Sequence, residues 1–368
     1  MKKFSAILCI VFVAIMVFAL PISAAAPYQT YTYSISGTSL NSPNAYEPAK
    51  TIDSKYIGLL DTDVMSKFYP NFSADDLAKK AVAFEDAADL ETDEFGNVYI
   101  ADTKNNRILV LDRYYKLKLI IESFINDNGV PDKLKAPKGV FITNDKFVEG
   151  KKVPGIIYVC DTDNNRIVTF DHDGNFLDVI PQPESELFDD SAVYKPVAVA
   201  VDPYDRLYVV SSTTYQGIIV MTDEGEFTGF VGAQKVVISA WDQLWRRFQT
   251  EEQRALSETL VSTEFNNITL TGDFIYVTTS SIDENNVLSA IRSKSKAGDY
   301  APVKMLNAAG EEIMRRNGFY PPSGEVDNTK TQVSDTIFGA STVVDVACGP
   351  EKTWSIIDQK RSKVFTYD

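Results

Sequence analysis

The stretch Asn97–Asp112, NVYIADTKNNRILVLD, decides the fold, because a close copy returns at Ile156–Asp171 as IIYVCDTDNNRIVTFD. Val98, Tyr99 and Ile100, then Ile108 to Leu111, are β-branched, aromatic or aliphatic, in short runs parted by a polar turn on Asn105 and Asn106. Such runs favour pleated structure, and asparagine tolerates left-handed backbone, so the stretch reads as a β-hairpin. Asp102 leaves the first strand and Arg107 enters the second, close enough for a forked, charge-assisted hydrogen bond. Asp161 and Arg166 repeat the pair. Weaker copies lose both partners together: Tyr208 leads to Ser211 and Gly217, and the copy at Tyr276 carries neither charge. The last copy, WSIIDQKRSKVFTYD, keeps a cruder pair in Asp358 and Lys363. A pair repeated along one chain reads as a structural pin of the turn, not as catalytic machinery.

Each copy is preceded by an apolar strand, beginning near Asp86, Lys138, Pro196, Asn266 and Thr342. Fourth strands follow most copies, at Leu117 to Phe124, Phe176 to Pro181, Glu226 to Gly232 and Glu311 to Gly318. Four strands per repeat is the pattern of a propeller blade. The aromatic that marks each second strand is Tyr99, Tyr158, Tyr208, Tyr276 and Trp354. The fold class is therefore all-β, a β-propeller with short helical insertions. Its blades lie near 86–124, 138–181, 196–232, 266–318 and 342–368.

These residues resemble the NHL-repeat family of β-propellers, most closely in DEFGNVYIADTKNNRILVLD (Asp93 to Asp112) and in the copy ending at Asp171. The resemblance covers about Asp86 to Asp368. It implies six blades, whereas five are recognisable and the fifth stops before its fourth strand. Either Tyr28–Ser36, an alternating YQTYTYSIS strand whose partner lies elsewhere, closes the ring, or the chain is part of a longer protein; the second is favoured, since an open blade edge invites aggregation.

Residues 1–25 read as a secretory signal: Lys2 and Lys3, an apolar run from Phe4 to Leu20, then Pro21 and small residues to Ala25. The alternative is an uncleaved membrane anchor. Residues 26–72 form a Tyr-, Ser- and Pro-rich extended segment, and the propeller runs over 73–368, opened by a helix from Ser73 to Phe84 with Ser73 as its cap. Cleavage moves the net charge from −15 to −17. That acidity disfavours nucleic acid and anionic lipid as partners. The expected partners are a protein, peptide or glycan outside the cell, with no stable membrane insertion. After Cys9 only Cys160 and Cys348 remain, which gives no disulfide framework.

The loop joining two blades and the loop between strands two and three share one face of a blade. The long insertions, Gln182 to Tyr194, Gly232 to Phe265, Ser280 to Ala301 and Phe319 to Ala340, all use those loops. In the second of them Trp241, Trp245 and Phe248 share one helical side, which either packs on the propeller or lines a site together with Tyr320. The starts of the innermost strands, Asp86, Lys138, Lys195, Asn266 and Ser341, surround the channel mouth. Asp89 and Asp345 face either the channel or the blade core. The single histidine, His172, excludes histidine triads and multi-histidine metal sites, and its DHDG turn reads as solvated. No residue is assigned to catalysis or to a metal, and no cofactor is expected.

The expected function is binding at the inserted face, with Asp86, Lys138, Lys195, Trp241, Trp245, Asn266 and Tyr320 as candidate contacts. One alternative is a carboxylate-metal hydrolase or lactonase of the propeller class, which needs calcium or a similar ion. Another is a spacer or docking module of a larger cell-surface protein.

Overall fold

The computed structural model describes residues 31–33, 39–41, 49–184, 193–214, 217–232, 265–272, 274–280, 285–286, 289, 301–314, 341–349 and 353–367. The chain divides into two compact units, Met1–Thr51 and Ile52–Asp368. In the first, β1 (Tyr31–Tyr33) pairs antiparallel with β2 (Ser39–Asn41), Tyr31 opposite Asn41. The strand read at Tyr28–Ser36 thus finds a partner immediately downstream, where the sequence suggested a distant one. The proposed signal lies outside the described residues. Among those described, no helix is long and apolar enough to cross a membrane.

The second unit is a five-bladed propeller. Its chain enters through α1 (Thr62–Met65) and α2 (Ala74–Lys80). Ser73 caps α2 by accepting the Asp76 amide at 3.2 Å, as the sequence indicated, but the helix stops at Lys80. Blade 1 follows as β3 (Ala87–Thr92), β4 (Val98–Asp102), β5 (Arg107–Leu111) and β6 (Leu117–Ile121). A small hairpin, β7 (Ser123–Ile125) with β8 (Pro131–Lys133), leads out of it. Blade 2 comprises β9 (Gly139–Ile142), β12 (Ile157–Asp161), β13 (Arg166–Phe170) and β14 (Phe176–Ile180). Its first connection carries an extra hairpin, β10 (Lys146–Val148) and β11 (Lys151–Val153). Blade 3 is β15 (Pro196–Val201), β16 (Leu207–Ser211), β17 (Ile218–Met221) and β18 (Phe227–Val231).

Blades 4 and 5 have three strands each among the described residues: β19 (Phe265–Thr271), β20 (Phe274–Thr279) and β21 (Val303–Leu306), then β22 (Val343–Cys348), β23 (Trp354–Asp358) and β24 (Lys363–Tyr367). The fourth strand read at Glu311–Gly318 begins only as an isolated bridge between Leu306 and Glu312. Residues from 315 onward in that run lie outside the described set.

The first strands neighbour one another in chain order, which puts β3, β9, β15, β19 and β22 innermost. The core lies between blades. Tyr99, Ala101, Ile108 and Val110 of blade 1 meet Val140, Ile142, Ile157 and Val159 of blade 2. Tyr158 faces blade 3 and Tyr208 faces blade 4 in the same way. Trp354 departs from this pattern. It alternates with Ile356 on the side turned to blade 4, so it matches Val98 of blade 1, and Ser355 stands where the other blades carry tyrosine.

The other face of blade 1 is covered by the entering segment. Ile57, Leu59, Met65 and Tyr69 pack on Val98, Ile100, Leu109 and Leu111. Residues 52–72, which composition groups with the N-terminal segment, therefore belong physically to the blade stack. Truncating a buried Leu or Met typically costs about 2–5 kcal/mol. Leu59→Ala and Met65→Ala are each expected to lower the urea unfolding free energy within that range, while Leu60→Ala, at a half-exposed position, changes it by less than about 0.5 kcal/mol. Equal, small effects at all three positions would mean that the segment is not part of the cooperative core.

Candidate functional site

The face that carries the expected site is built on the pins. Asp102 stands opposite Arg107 and Asp161 opposite Arg166 in register, joined through a 3-10 turn that ends on a left-handed asparagine, Asn106 (φ 55°) or Asn165 (φ 58°). Arg107 Nε donates to Asp102 Oδ2 at 2.7 Å, both side chains almost wholly buried. The fork expected between the two is not made. The terminal guanidinium nitrogens donate instead to the carbonyls of Lys80 and Val82, in the segment entering the blade. Asp102 Oδ1 in turn accepts the Glu85 amide at 2.8 Å.

Blade 2 repeats the arrangement. Arg166 Nε meets Asp161 Oδ2 at 2.8 Å, its other nitrogens fork onto Asp132 at 2.7 and 3.0 Å, and Asp161 Oδ1 accepts the Lys135 amide at 2.6 Å. Burial pushes the Asp161 carboxyl up, against the amide, Asn164 and Arg166, which all favour the anion. A buried pair of this kind does more for geometry than for net stability.

Where the charges are missing, the same tie is made by hydroxyls. Ser211 Oγ accepts the Lys195 amide at 3.1 Å, and Thr213 Oγ1 donates to the Val193 carbonyl. In blade 5, Asp358 accepts the Thr342 amide at 3.2 Å and the Ser341 hydroxyl at 2.7 Å. Its guanidinium partner is Arg361, at 3.1 Å, from the turn; Lys363 occupies the register position opposite.

The candidate contacts distribute unevenly around this frame. Asp86 is exposed with left-handed backbone (φ 57°), and Lys138 is exposed. Lys195 Nζ is paired with Asp163 Oδ1 at 2.9 Å. Asn266 is structural: its amide donates to the Val343 carbonyl at 3.1 Å and its carbonyl accepts the Thr278 hydroxyl, tying blade 4 to blade 5. Trp241, Trp245 and Tyr320 lie outside the described residues.

One step further along the first strands, Asp89, Gly139, Ala198, Asn267 and Asp345 occupy equivalent register positions. Gly139 is required here, since a Cβ would stand 2.6 Å from the Val197 carbonyl oxygen. The three polar members form the wall of interest. Asp89 accepts the Val140 amide at 2.9 Å, and Asp345 accepts the Asn267 side-chain amide at 2.6 Å. Burial pushes the Asp89 carboxyl up to about 7, with the negative charges of Asp345 and Glu91 adding to it. Burial likewise lifts Asp345 to about 6 and raises Glu91. Both aspartates nevertheless keep part of their surface exposed, so these carboxyls can exchange protons with solvent and offer both donors and acceptors near neutrality. Among the described residues no group of three or more His, Cys, Asp or Glu is arranged to hold a metal ion. The sequence signal for this wall was a carboxylate inside an apolar strand, at Asp89 and at Asp345.

No family model matches the chain, and no curated protein is similar to it. Among solved structures it aligns with hydrazine synthase of Kuenenia stuttgartiensis, at 11% identity and a TM-score of 0.39 over 73% of this chain and 55% of that one. It also aligns with a catalytically inactive virginiamycin B lyase of Staphylococcus aureus with quinupristin, at 13% identity and 0.37, over 76% and 65%. A streptogramin B lyase aligns at 11% identity and 0.37, over 77% and 82%. The chain thus spans about half of the synthase chain and just under two thirds of the first of these lyases.

The raised carboxyls give a signed prediction. An acid whose pKa is higher in the folded state binds more protons there, so it costs stability as pH rises from its unfolded value of about 4 through its folded value. Asp89→Asn keeps an acceptor for the Val140 amide and removes that cost. The variant is expected to melt above the parent by about 2 °C or more at pH 8, with the gap closing as pH falls toward 4.5. A gap that is constant with pH, or that widens on acidification, contradicts the assignment.

Proposed function

We propose that this propeller is a binding platform that holds a protein, peptide or glycan on the face where its long connections emerge. One observation carries the reading. The connections 181–195, 232–264 and 280–302 begin and end at strand termini on the side of the pins, and 315–342 enters β22 on that same side. The entry of each first strand lies beside the turn between strands two and three, as Ala87 opposite Asp102 shows, so both kinds of connection open on one face. Propellers commonly bind at such a built-up face around the channel. Asp89, Asp345 and Asn267 supply carboxyl and amide groups on the inner wall below it. With residues 1–25 as an export signal, the partner is extracellular.

The shared level of Asp89, Asn267 and Asp345 also favours a second reading, a carboxylate-metal hydrolase using calcium or a similar ion. Calcium titration of the melting temperature separates the two, because a ligand that binds only the folded state raises it by mass action.

The platform reading is tested by replacing residues 233–264 with a short Gly/Ser linker and screening both proteins on peptide, protein and glycan arrays. The expected result is specific binding by the parent that falls by about tenfold or more in the variant, with an unchanged melting transition. Binding that survives the replacement, or a parent that binds nothing on the arrays, contradicts it.

A further inference from the structure

On the face opposite the long connections, blades 1 and 2 border an open pocket of about 610 Å³. That volume falls within the range of small-molecule sites. Its walls are the turn after β3, the turn after β5, Lys118 of β6, the β10–β11 hairpin and the turn that carries His172. The hairpin is an addition: among the described residues, no other blade has strands inserted between its first and second.

The pocket is cationic in an acidic protein. Arg113, Lys118 and Lys152 line it, against Asp112 and Asp145. Both carboxylates are already engaged. Asp112 Oδ1 accepts the amides of Tyr114 and Lys116 at 2.8 and 2.9 Å. Asp145 pairs with Lys152 at 2.6 Å and accepts the Gly155 amide at 2.9 Å, and Lys152 holds its carboxyl below the usual range. Arg113 donates only to the Phe95 carbonyl, at 3.3 Å, and Lys118 has no hydrogen bond or ion pair among the described residues. Among the described residues neither cation is ion-paired, and the lining as a whole carries a net charge of +1.

The remaining lining suits a flat apolar body. Phe95 and Tyr114 are 45% and 69% exposed as residues, and Pro154 lines the same pocket. His172, read from sequence as a solvated turn residue, is instead half-buried in this wall. Its Nδ1 lies 3.4 Å from the Tyr99 hydroxyl, which itself donates to Asp93, and Phe95 meets its ring edge-on. Nε2 is buried without a hydrogen bond, 3.7 Å from Asp145 Oδ1.

We propose that this cavity binds a small aromatic carboxylate, its anionic group on Arg113 and Lys118 and its ring against Phe95 and Tyr114. Guanidinium and ammonium recognise the carboxylate, and the exposed rings recognise the aromatic body. The site lies on the other face of the disc and does not depend on the platform reading.

The test uses the full chain, isothermal titration calorimetry, and two probes of one shape, 4-hydroxybenzoate and the neutral 4-hydroxybenzyl alcohol. The acid is expected to bind saturably at one site, about tenfold or more tighter than the alcohol. Arg113→Gln combined with Lys118→Gln removes that preference, while Phe95→Ala weakens both probes; all three positions are solvent-exposed, and unchanged melting curves confirm that the variants fold. Absence of saturable binding up to about 10 mM acid, equal affinity for the alcohol, or insensitivity to the double variant overturns the proposal.

Discussion

Everything in this fold hangs on a buried polar tie between the turn that joins strands two and three and the chain arriving at strand one. A propeller blade is a flat sheet whose apolar faces are satisfied by its neighbours, so the hydrophobic core alone does not say at what level each strand begins. The tie sets that level. Asp102 and Asp161 hold backbone amides of the entering segment, Glu85 and Lys135, while the paired arginines reach carbonyls or a carboxylate of the same segment. Ser211 does the same for Lys195 without charge, and Asp358 does it for Thr342 with Arg361 as its cation. A lost ion pair therefore leaves the geometry in place as long as some side-chain oxygen accepts that amide.

This tie explains why the repeats were legible where they were. The Asp-x-x-Asn-Asn-Arg spelling marks blades 1 and 2 directly, and counting outward from it recovers their strands to within three residues, the largest miss being β6, which ends at Ile121 and not at Phe124. Blades 3 to 5 replace the spelling with hydroxyls or a different cation, so only apolar runs remain as a guide. Runs give the strand but not its phase, and Trp354 was accordingly set one residue out of step with the tyrosines. Counting back from Asp358 instead of matching aromatics places Ser355 there. The partner of Arg107 was read correctly, but the destination of its remaining nitrogens was not, because carbonyls of Lys80 and Val82 carry no side-chain signature.

The two faces of the disc differ in how far sequence reveals them. The inserted face announces itself by length, yet what its long connections contain does not determine a ligand. Its inner wall was visible only as aspartates in apolar strands, whose significance depends on which blades bring them to one level. The opposite face was nearly invisible. Lys146–Val153 is too short and too charged to read as strands, and only the folded chain brings its hairpin, the Phe95 turn and His172 to a common cavity. A histidine in a polar turn looks solvated until the neighbouring blade closes over it.

The most direct measurement is amide hydrogen exchange at Glu85 and Lys135, which lie outside every strand but donate to the pin carboxylates. If the tie sets the blade, both amides exchange about a thousandfold or more slowly than free loop amides and in step with β4 and β12, and Asp102→Ala abolishes the protection at Glu85. Exchange at the rate of an exposed loop in the parent protein would contradict the account, since the turns would then be held by strand packing alone.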